Sequence, residues 1–253
     1  MCRLLAWHSP TPLTAEQVLS PNSDRLAELS RVHCDGWGFA QLMGDGDIDI
    51  RMGSEPAHES IEFKQTLATA ATDNGVVHLR WATGALEVNL GNTHPFSTDT
   101  PAGQVVFVHN GFLPDSESLL ADIDDDLIRA FRGQTDSERY FGFLITELRH
   151  ENGDLVSALR RTVKKLADHA YTSLNAMILT PTTLAVMCLF NPENRPLDED
   201  PDYFDLTWGE THGVIRVWSS GVRPNAEDDQ PLRNGTVLMI DTHTGDTSLV
   251  SIA

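Results

Sequence analysis

Lysine and cysteine are the scarce residues of this chain. Of its 253 residues only Lys64, Lys164 and Lys165 are lysine, and 18 basic residues face 37 acidic ones, for a net charge of −19. Such a surface repels phosphate backbones, which excludes a nucleic-acid partner; the acidity itself reads as a solvated exterior. The three cysteines, Cys2, Cys34 and Cys188, are odd in number and lack CxxC spacing. They argue against a disulfide framework or a structural zinc site and for a reducing, cytoplasmic setting. Long apolar runs are also missing. None approaches the roughly 18 residues of a membrane span, and MCRLLAWHSP lacks the extended apolar core of a signal peptide. What remains, 40% hydrophobic and 22% charged, is ordinary for a folded protein. The length suits one domain over residues 1–253.

Alternation and turn residues predict strands at Arg3–His8, Gly36–Met43, Ile48–Met52, Val76–Ala82 and Gln104–His109. A Pro-rich turn follows the first strand, with a short helix near Asp24–Arg31. Helical apolar spacing runs over Glu59–Thr72 through Ile61, Phe63, Leu67 and Ala71. Thr83–Ala102 reads as a long loop, a length that usually carries function. Helices are expected at Ser116–Arg132, Ser137–His150 and Asp154–His169, the last with Leu155, Leu159, Val163 and Leu166 on one face. Strands follow at Ala176–Thr180, Thr183–Phe190, Gly213–Ser219, Thr236–Asp241 and Thr247–Ser251, around an acidic loop at Pro192–Pro201. Strands at both ends with helices between predict an α+β domain of stacked layers.

Four polar clusters fall at strand ends and in loops. Cys2 becomes the first residue if Met1 is removed, and would then carry a thiol and a free α-amine together. That amine, with a reference pKa of about 7.7–8.0, can serve as the base for its own nucleophile. HLRWATG (His78–Gly84) sets an arginine fork at a strand end, suited to a carboxylate or to a structural ion pair. VHNGFL (Val108–Leu113) is a turn, or an amide and a backbone N–H aimed at one point, as in an oxyanion hole. QTDSERYF (Gln134–Phe141) offers Thr135 or Asp136 as a helix cap with Glu138 in the first turn. His33-Cys34-Asp35 invites a metal reading, but adjacent strand residues point to opposite faces. Cys34 and Cys188 read as small buried apolar residues. No metal or cofactor is called for.

In order, MCRLLAW, CDGWGFA, HLRWATG, NTHPF, VHNG and TDSE resemble the class II glutamine amidotransferase domain, an N-terminal-nucleophile hydrolase. The compact form is most similar to its stand-alone branch, the YafJ-like proteins and the γ-glutamyl hydrolases of ergothioneine and glutathione metabolism. The resemblance implies a four-layer αββα sandwich. It implies Cys2 as nucleophile and thioester former, with Asn110 and Gly111 as oxyanion hole. Arg80 and Thr83 would hold a substrate α-carboxylate and Asp136 its α-ammonium, while Trp81 and His94 serve as walls. Two departures stand out. Gly84 replaces the histidine that usually follows the WAT triplet, leaving one carboxylate contact open. Val32 occupies a position where the family often has arginine.

The expected activity is hydrolysis of a γ-glutamyl amide, because the glutaminase-like unit fills the chain and leaves no acceptor domain. Two other readings stay open: a glutaminase subunit supplying ammonia to a separate partner synthase, and an idle binding module of the same fold. The partner is a small γ-glutamyl molecule, with no membrane and with a homo-oligomer or partner subunit open. Loops at Asp99–Ala102 and Pro192–Pro201 are expected to contact the leaving amine.

Overall fold

The computed structural model describes residues 2–84, 86–196 and 200–252. Met1, with the expected removal that exposes Cys2, and residues 197–199 of the acidic loop lie outside the described residues. Two antiparallel sheets stack face to face. One holds β1 (Arg3–Leu13), β2 (Trp37–Leu42), β3 (Ile48–Gly53), β4 (Thr72–Leu79), β9 (Leu206–Thr211), β10 (Val214–Ser219) and β11 (Gln230–Pro231), in the order β11-β9-β10-β1-β4-β2-β3. The other holds β5 (Phe96–Thr100), β6 (Gly103–Asn110), β7 (Asn175–Leu179), β8 (Thr183–Cys188), β12 (Thr236–Asp241) and β13 (Thr247–Ser251), in the order β13-β12-β8-β7-β6-β5.

Strand alternation sorts the core into three layers. On β1, Leu4 and Ala6 face the second sheet, where they meet Val106, Val108, Val186 and Leu238. Leu5 and Trp7 face outward, under α1 (Ala15–Leu19), α2 (Arg25–Leu29) and α3 (Ile61–Thr69). The outer face of the second sheet is covered by α4 (Asp125–Ala130), α5 (Asp136–His150) and α6 (Leu155–Leu166), where Phe107 and Ile178 pack on Phe141, Leu144 and Leu159. The result is a four-layer αββα sandwich. In α6 the expected face of Leu155, Leu159, Val163 and Leu166 is the buried one.

Several boundaries differ from the sequence expectation for identifiable reasons. β1 continues through Pro10 and Pro12 because its ladder to β4 lapses between His8 and Leu13, where no N–H is required. The 61–69 helix is shorter than expected: Ser60 Oγ caps it by accepting from Phe63 N, and Ile61 is 73% exposed, not part of the apolar face. The single helix expected over Ser116–Arg132 is two pieces, a 3-10 segment at Ser116–Asp122 and α4, parted where Ile123 turns extended and enters the core. The long loop contains β5, an edge strand hidden in the sequence because only Phe96 of FSTDT is buried. β9 and the two-residue β11 were also not read from the sequence. Cys34 is half-buried, whereas Cys188 is fully buried and its thiol is pushed up to about 12 by that burial.

β4 ends at Leu79, three residues before its expected end at Ala82. The chain there leaves the ladder to bond Asp35–Gly36 instead: Arg80 N donates to the Gly36 carbonyl and Asp35 N to the Arg80 carbonyl. Gly36 takes φ +124, a conformation that favours glycine. This early exit turns Arg80–Thr83 across the end of the sandwich, beside the starts of β1 and β7 and the end of β6.

Candidate active site

Cys2 precedes β1 at the middle of its sheet and is 8% exposed. Its backbone N donates to Asn110 Oδ1 at 2.9 Å, joining the two sheets, and its Sγ lies 3.9 Å from the Trp81 carbonyl oxygen. Burial pushes the thiol above its ordinary value, opposed by its contact with the Trp81 backbone and by the positive charge of Arg80. A neutral thiol at rest is the consequence.

Asn110 ends β6, fully buried and paired across the ladder with Asn175. Asn175 is itself fixed, donating to the Phe204 carbonyl at 2.6 Å and accepting from Leu189 N at 2.8 Å. With Oδ1 used by Cys2, Asn110 Nδ2 is buried without a partner. At Gly111 a Cβ would lie 1.8 Å from the Ser173 carbonyl oxygen, so only glycine fits. His109 holds the same turn. Its Nε2–H donates to the Ser173 carbonyl at 3.0 Å, which leaves Nδ1 to accept from Ser137 Oγ at 2.9 Å. Sequence reasoning missed this His109–Ser137–Ser173 network, although His109 and Ser137 both stand inside the motifs VHNG and TDSE.

Arg80 is 3% exposed and forms no ion pair among the described residues. Its Nη1 donates to the Asp35 carbonyl at 3.1 Å, and Nη2 is buried without a partner. Asp35 also accepts from Ala82 N at 2.7 Å and so fixes the turn that carries Arg80. Burial lowers the Arg80 pKa, with Cys2, Asp35 and Asp136 acting the other way. Asp136 opens α5 and accepts from Leu113 N at 2.8 Å. The helix-cap reading of this cluster also holds: Thr135 Oγ1 accepts from Glu138 N. Glu138 in turn accepts from Arg132 N and Gly133 N.

Cys2, Arg80, Trp81, Thr83, His94, Gly111 and Asp136 all line one cavity of about 30 Å³, and Asn110 stands behind Cys2. Thus the eight residues singled out from sequence meet at one place. His94 is a wall of unusual character. Both of its ring nitrogens are buried without partners, and its ring lies 4.3 Å from that of His78. Burial lowers the pKa of His78 to about 3 and those of His94 and His109 as well. Val32 is 55% exposed and takes no part in the cavity.

One expectation fails. Asp99–Ala102 forms the end of the β5–β6 hairpin, at the opposite end of β6 from Asn110, and cannot contact a leaving group at Cys2. Thr100–Gly103 instead line a separate cavity of about 390 Å³ together with Leu148 and Leu155. The earlier part of the long loop, with Thr83 and His94, lines the Cys2 cavity, whereas Asp99 and Thr100 belong to the edge strand β5. His33, Cys34 and Asp35 lie in the turn between α2 and β2, and no group of three metal-ligating side chains occurs among the described residues. Among the described residues, no helix is long and apolar enough to cross a membrane.

Solved structures share this architecture. A glutamine amidotransferase class-II domain protein from Silicibacter pomeroyi superposes with a TM-score of 0.65 at 19% identity, covering 100% of both chains. The glutamine phosphoribosylpyrophosphate amidotransferase from Bacillus subtilis gives 0.67 at 17% identity, with all of this chain covering 49% of that one. These likenesses show a shared fold. Sequence supplies the family: residues 1–185 match the model of the class-II glutamine amidotransferases, and the chain belongs to that family. A Haemophilus influenzae protein named "Putative glutamine amidotransferase" is 31% identical over 176 residues, 67% of this chain and 57% of its own length. The chain therefore spans just over half of that relative.

Proposed function

We propose that this chain hydrolyses γ-glutamyl amides, with Cys2 as the nucleophile once Met1 has been removed. The observation that carries the reading is the Cys2–Asn110 contact. One bond of 2.9 Å ties the nitrogen that would become the free α-amine to Asn110 Oδ1, and it leaves Asn110 Nδ2 buried with nothing to donate to. A buried unpaired donor costs about 1–3 kcal/mol, and an oxyanion forming over Sγ would offset that cost. Gly111 N–H is the second donor of the proposed hole.

The substrate's α-carboxylate pairs with Arg80, whose Nη2 has no partner in the chain, and Thr83 assists. Its α-ammonium pairs with Asp136. These contacts set the γ-carbonyl over Sγ, so that much of the rate comes from positioning. The Cys2 amine takes the thiol proton as sulfur bonds to the γ-carbon, then passes it to the departing amine as the C–N bond breaks. Water cleaves the thioester, releasing glutamate and regenerating the thiol. Trp81 and His94 wall the site, and no metal or cofactor is involved. A cavity of about 30 Å³ admits about two to three waters at roughly 10–15 Å³ each. Entry of a glutamyl group therefore requires the lining to open.

The test is glutamate release by protein whose Cys2 terminus has been verified by intact mass. Glutamine and γ-glutamyl dipeptides are compared with analogues whose α-amine is acylated or α-carboxylate esterified. The reading expects cleavage of the former and none of the latter. Cleavage of glutamine alone, and only with an added partner protein, favours an ammonia-supplying subunit. No cleavage at all favours a binding module.

A further inference from the structure

His109 precedes the two residues assigned to the oxyanion hole, is 1% exposed and lines the Cys2 cavity. The Tyr140 ring meets it edge to face, with 5.2 Å between centroids, and fixes its plane. Both ring nitrogens have partners whose chemistry settles the tautomer. The Ser173 carbonyl, 3.0 Å from Nε2, can only accept, so Nε2 carries the proton. Burial lowers the ring's pKa and keeps it neutral, so Nδ1 is bare. The Ser137 hydroxyl, 2.9 Å away, must therefore donate to Nδ1.

A hydroxyl has one proton, and Ser137 has two acceptors within reach. Its Oγ also lies 3.5 Å from Asp136 Oδ1. The shorter bond, to His109, takes the proton. Asp136 Oδ2 is occupied by Leu113 N at 2.8 Å. Oδ1 is thus left open, on a residue that lines the same cavity.

The Nε2 side of the ring acts on the neighbouring turn. Asn110 pairs with Asn175, a register that would set Phe112 opposite Ser173. Instead the Phe112 carbonyl accepts from Thr172 N at 3.0 Å, one residue out of register. The Ser173 carbonyl is left to the imidazole, and it is the atom against which Gly111 is packed.

We infer that His109 is a positioning residue with two separable tasks. Through Nδ1 it holds the Ser137 proton and so keeps Asp136 Oδ1 open to a substrate ammonium. Through Nε2 it holds the Ser173 carbonyl and with it the Gly111 turn. This rests on the proposed function, which gives the ammonium to Asp136 and the oxyanion to Asn110 and Gly111. The first task then bears on KM and the second on kcat. Substitution can part them. His109→Gln sets an amide N–H near the Nε2 position and leaves no acceptor at Nδ1. His109→Asn sets an amide oxygen near Nδ1 and cannot reach Ser173.

The experiment measures kcat and KM for glutamate release from glutamine or a γ-glutamyl dipeptide, whichever wild type cleaves, with Cys2 termini verified and folding checked by circular dichroism. His109→Gln lets the Ser137 proton turn to Asp136 and should raise KM by about tenfold, the scale of one charge-assisted bond. Adding Ser137→Ala to that variant removes the proton and should recover most of the loss in KM. His109→Asn should instead lower kcat by about tenfold or more, with KM changed less. Equal changes in both parameters for both variants, or a KM that Ser137→Ala does not recover, would reduce His109 to a packing residue. Either result overturns the inference with the proposed function left intact. Nitrogen NMR of the histidine rings in wild type is an independent reading that needs no variant to fold. It should find the His109 proton on Nε2 at neutral pH; a proton on Nδ1 would overturn the inference. A wild type that cleaves no γ-glutamyl amide removes the proposed function and the role of His109 with it.

Discussion

The two ends of β6 differ in a way that cavity size does not reveal. At the Gly103 end the space is large, about 390 Å³, but its polar groups are paired within their own turns. Thr100 Oγ1 donates to the Gly103 carbonyl, Thr180 Oγ1 accepts from Thr183 N, and Arg149 is held by Asp124 and Asp126. At the Asn110 end the space is only about 30 Å³, yet Asn110 Nδ2, Arg80 Nη2 and both His94 nitrogens are buried with no partner. Unpaired polar atoms, each costly to bury, mark the end suited to chemistry. The same feature makes it the end where stability has been given up.

Substitutions can break or sharpen this contrast. The largest effect is expected for Cys2→Ala, which should lower kcat by at least about four orders of magnitude, as loss of a nucleophile does, while the circular dichroism spectrum is preserved. Cys34→Ala should stay active; a dead Cys34→Ala beside an active Cys2→Ala would reassign the nucleophile. Next, Asn110→Ala should cost roughly two to three orders of magnitude in kcat with little change in KM, because the oxyanion exists only along the reaction path. Thr100→Ala, at the other end of the same strand, should stay within about twofold of wild type in both parameters. Comparable losses from the two would erase the distinction.

Smaller effects should divide recognition from chemistry. Arg80→Lys keeps a charge but loses the fork, and Asp136→Asn leaves the substrate ammonium without a counter-charge. Each should raise KM by about tenfold or more, the scale of one charge-assisted bond, with kcat affected less. A fall in kcat at constant KM would instead place these residues in the reaction path.

The mildest signature is in acid. The folded pKa of His78 is about 3, against 6.5 for a free histidine, and those of His94 and His109 are also lowered, chiefly by burial. Above pH 6.5 these rings are neutral whether folded or not and contribute nothing. Below it the unfolded chain binds protons that the fold refuses, so stability is lost as pH falls. The slope is about 1.4 kcal/mol per pH unit for each ring that stays neutral. Urea denaturation at pH 7.5 and 5.0 should show that loss, and Asn substitution at His78 should reduce it. A stability unchanged between the two values would mean the histidines are not held neutral.

Much of this site was legible in the chain because its residues stand at strand ends, where motif order survives folding. Cys2, Arg80, Asn110 and Asp136 come from four distant stretches, and short motifs at the mouths of β1, β4, β6 and α5 suffice to name them. Other features left no local trace. β5 and β9 are half-exposed strands whose polar residues hide the period-2 signal. The turn at Asp35–Gly36 that diverts Arg80 from its ladder depends on backbone bonds between distant segments. The pairing of His109 with Ser137 and Ser173, and the seat of Arg3 on Tyr203, are contacts across tens to hundreds of residues. No periodicity encodes them.

The central claim is that Cys2, freed at its amine, is the nucleophile of a glutamyl-reading site. It is tested most directly by mass spectrometry of protein treated with an electrophilic analogue of glutamine bearing a γ-chloromethyl ketone. The account predicts one adduct, on an N-terminal Cys2, suppressed by free glutamate and absent in Cys2→Ala. An adduct on Cys34 or Cys188, or full activity in protein that retains Met1, would contradict it.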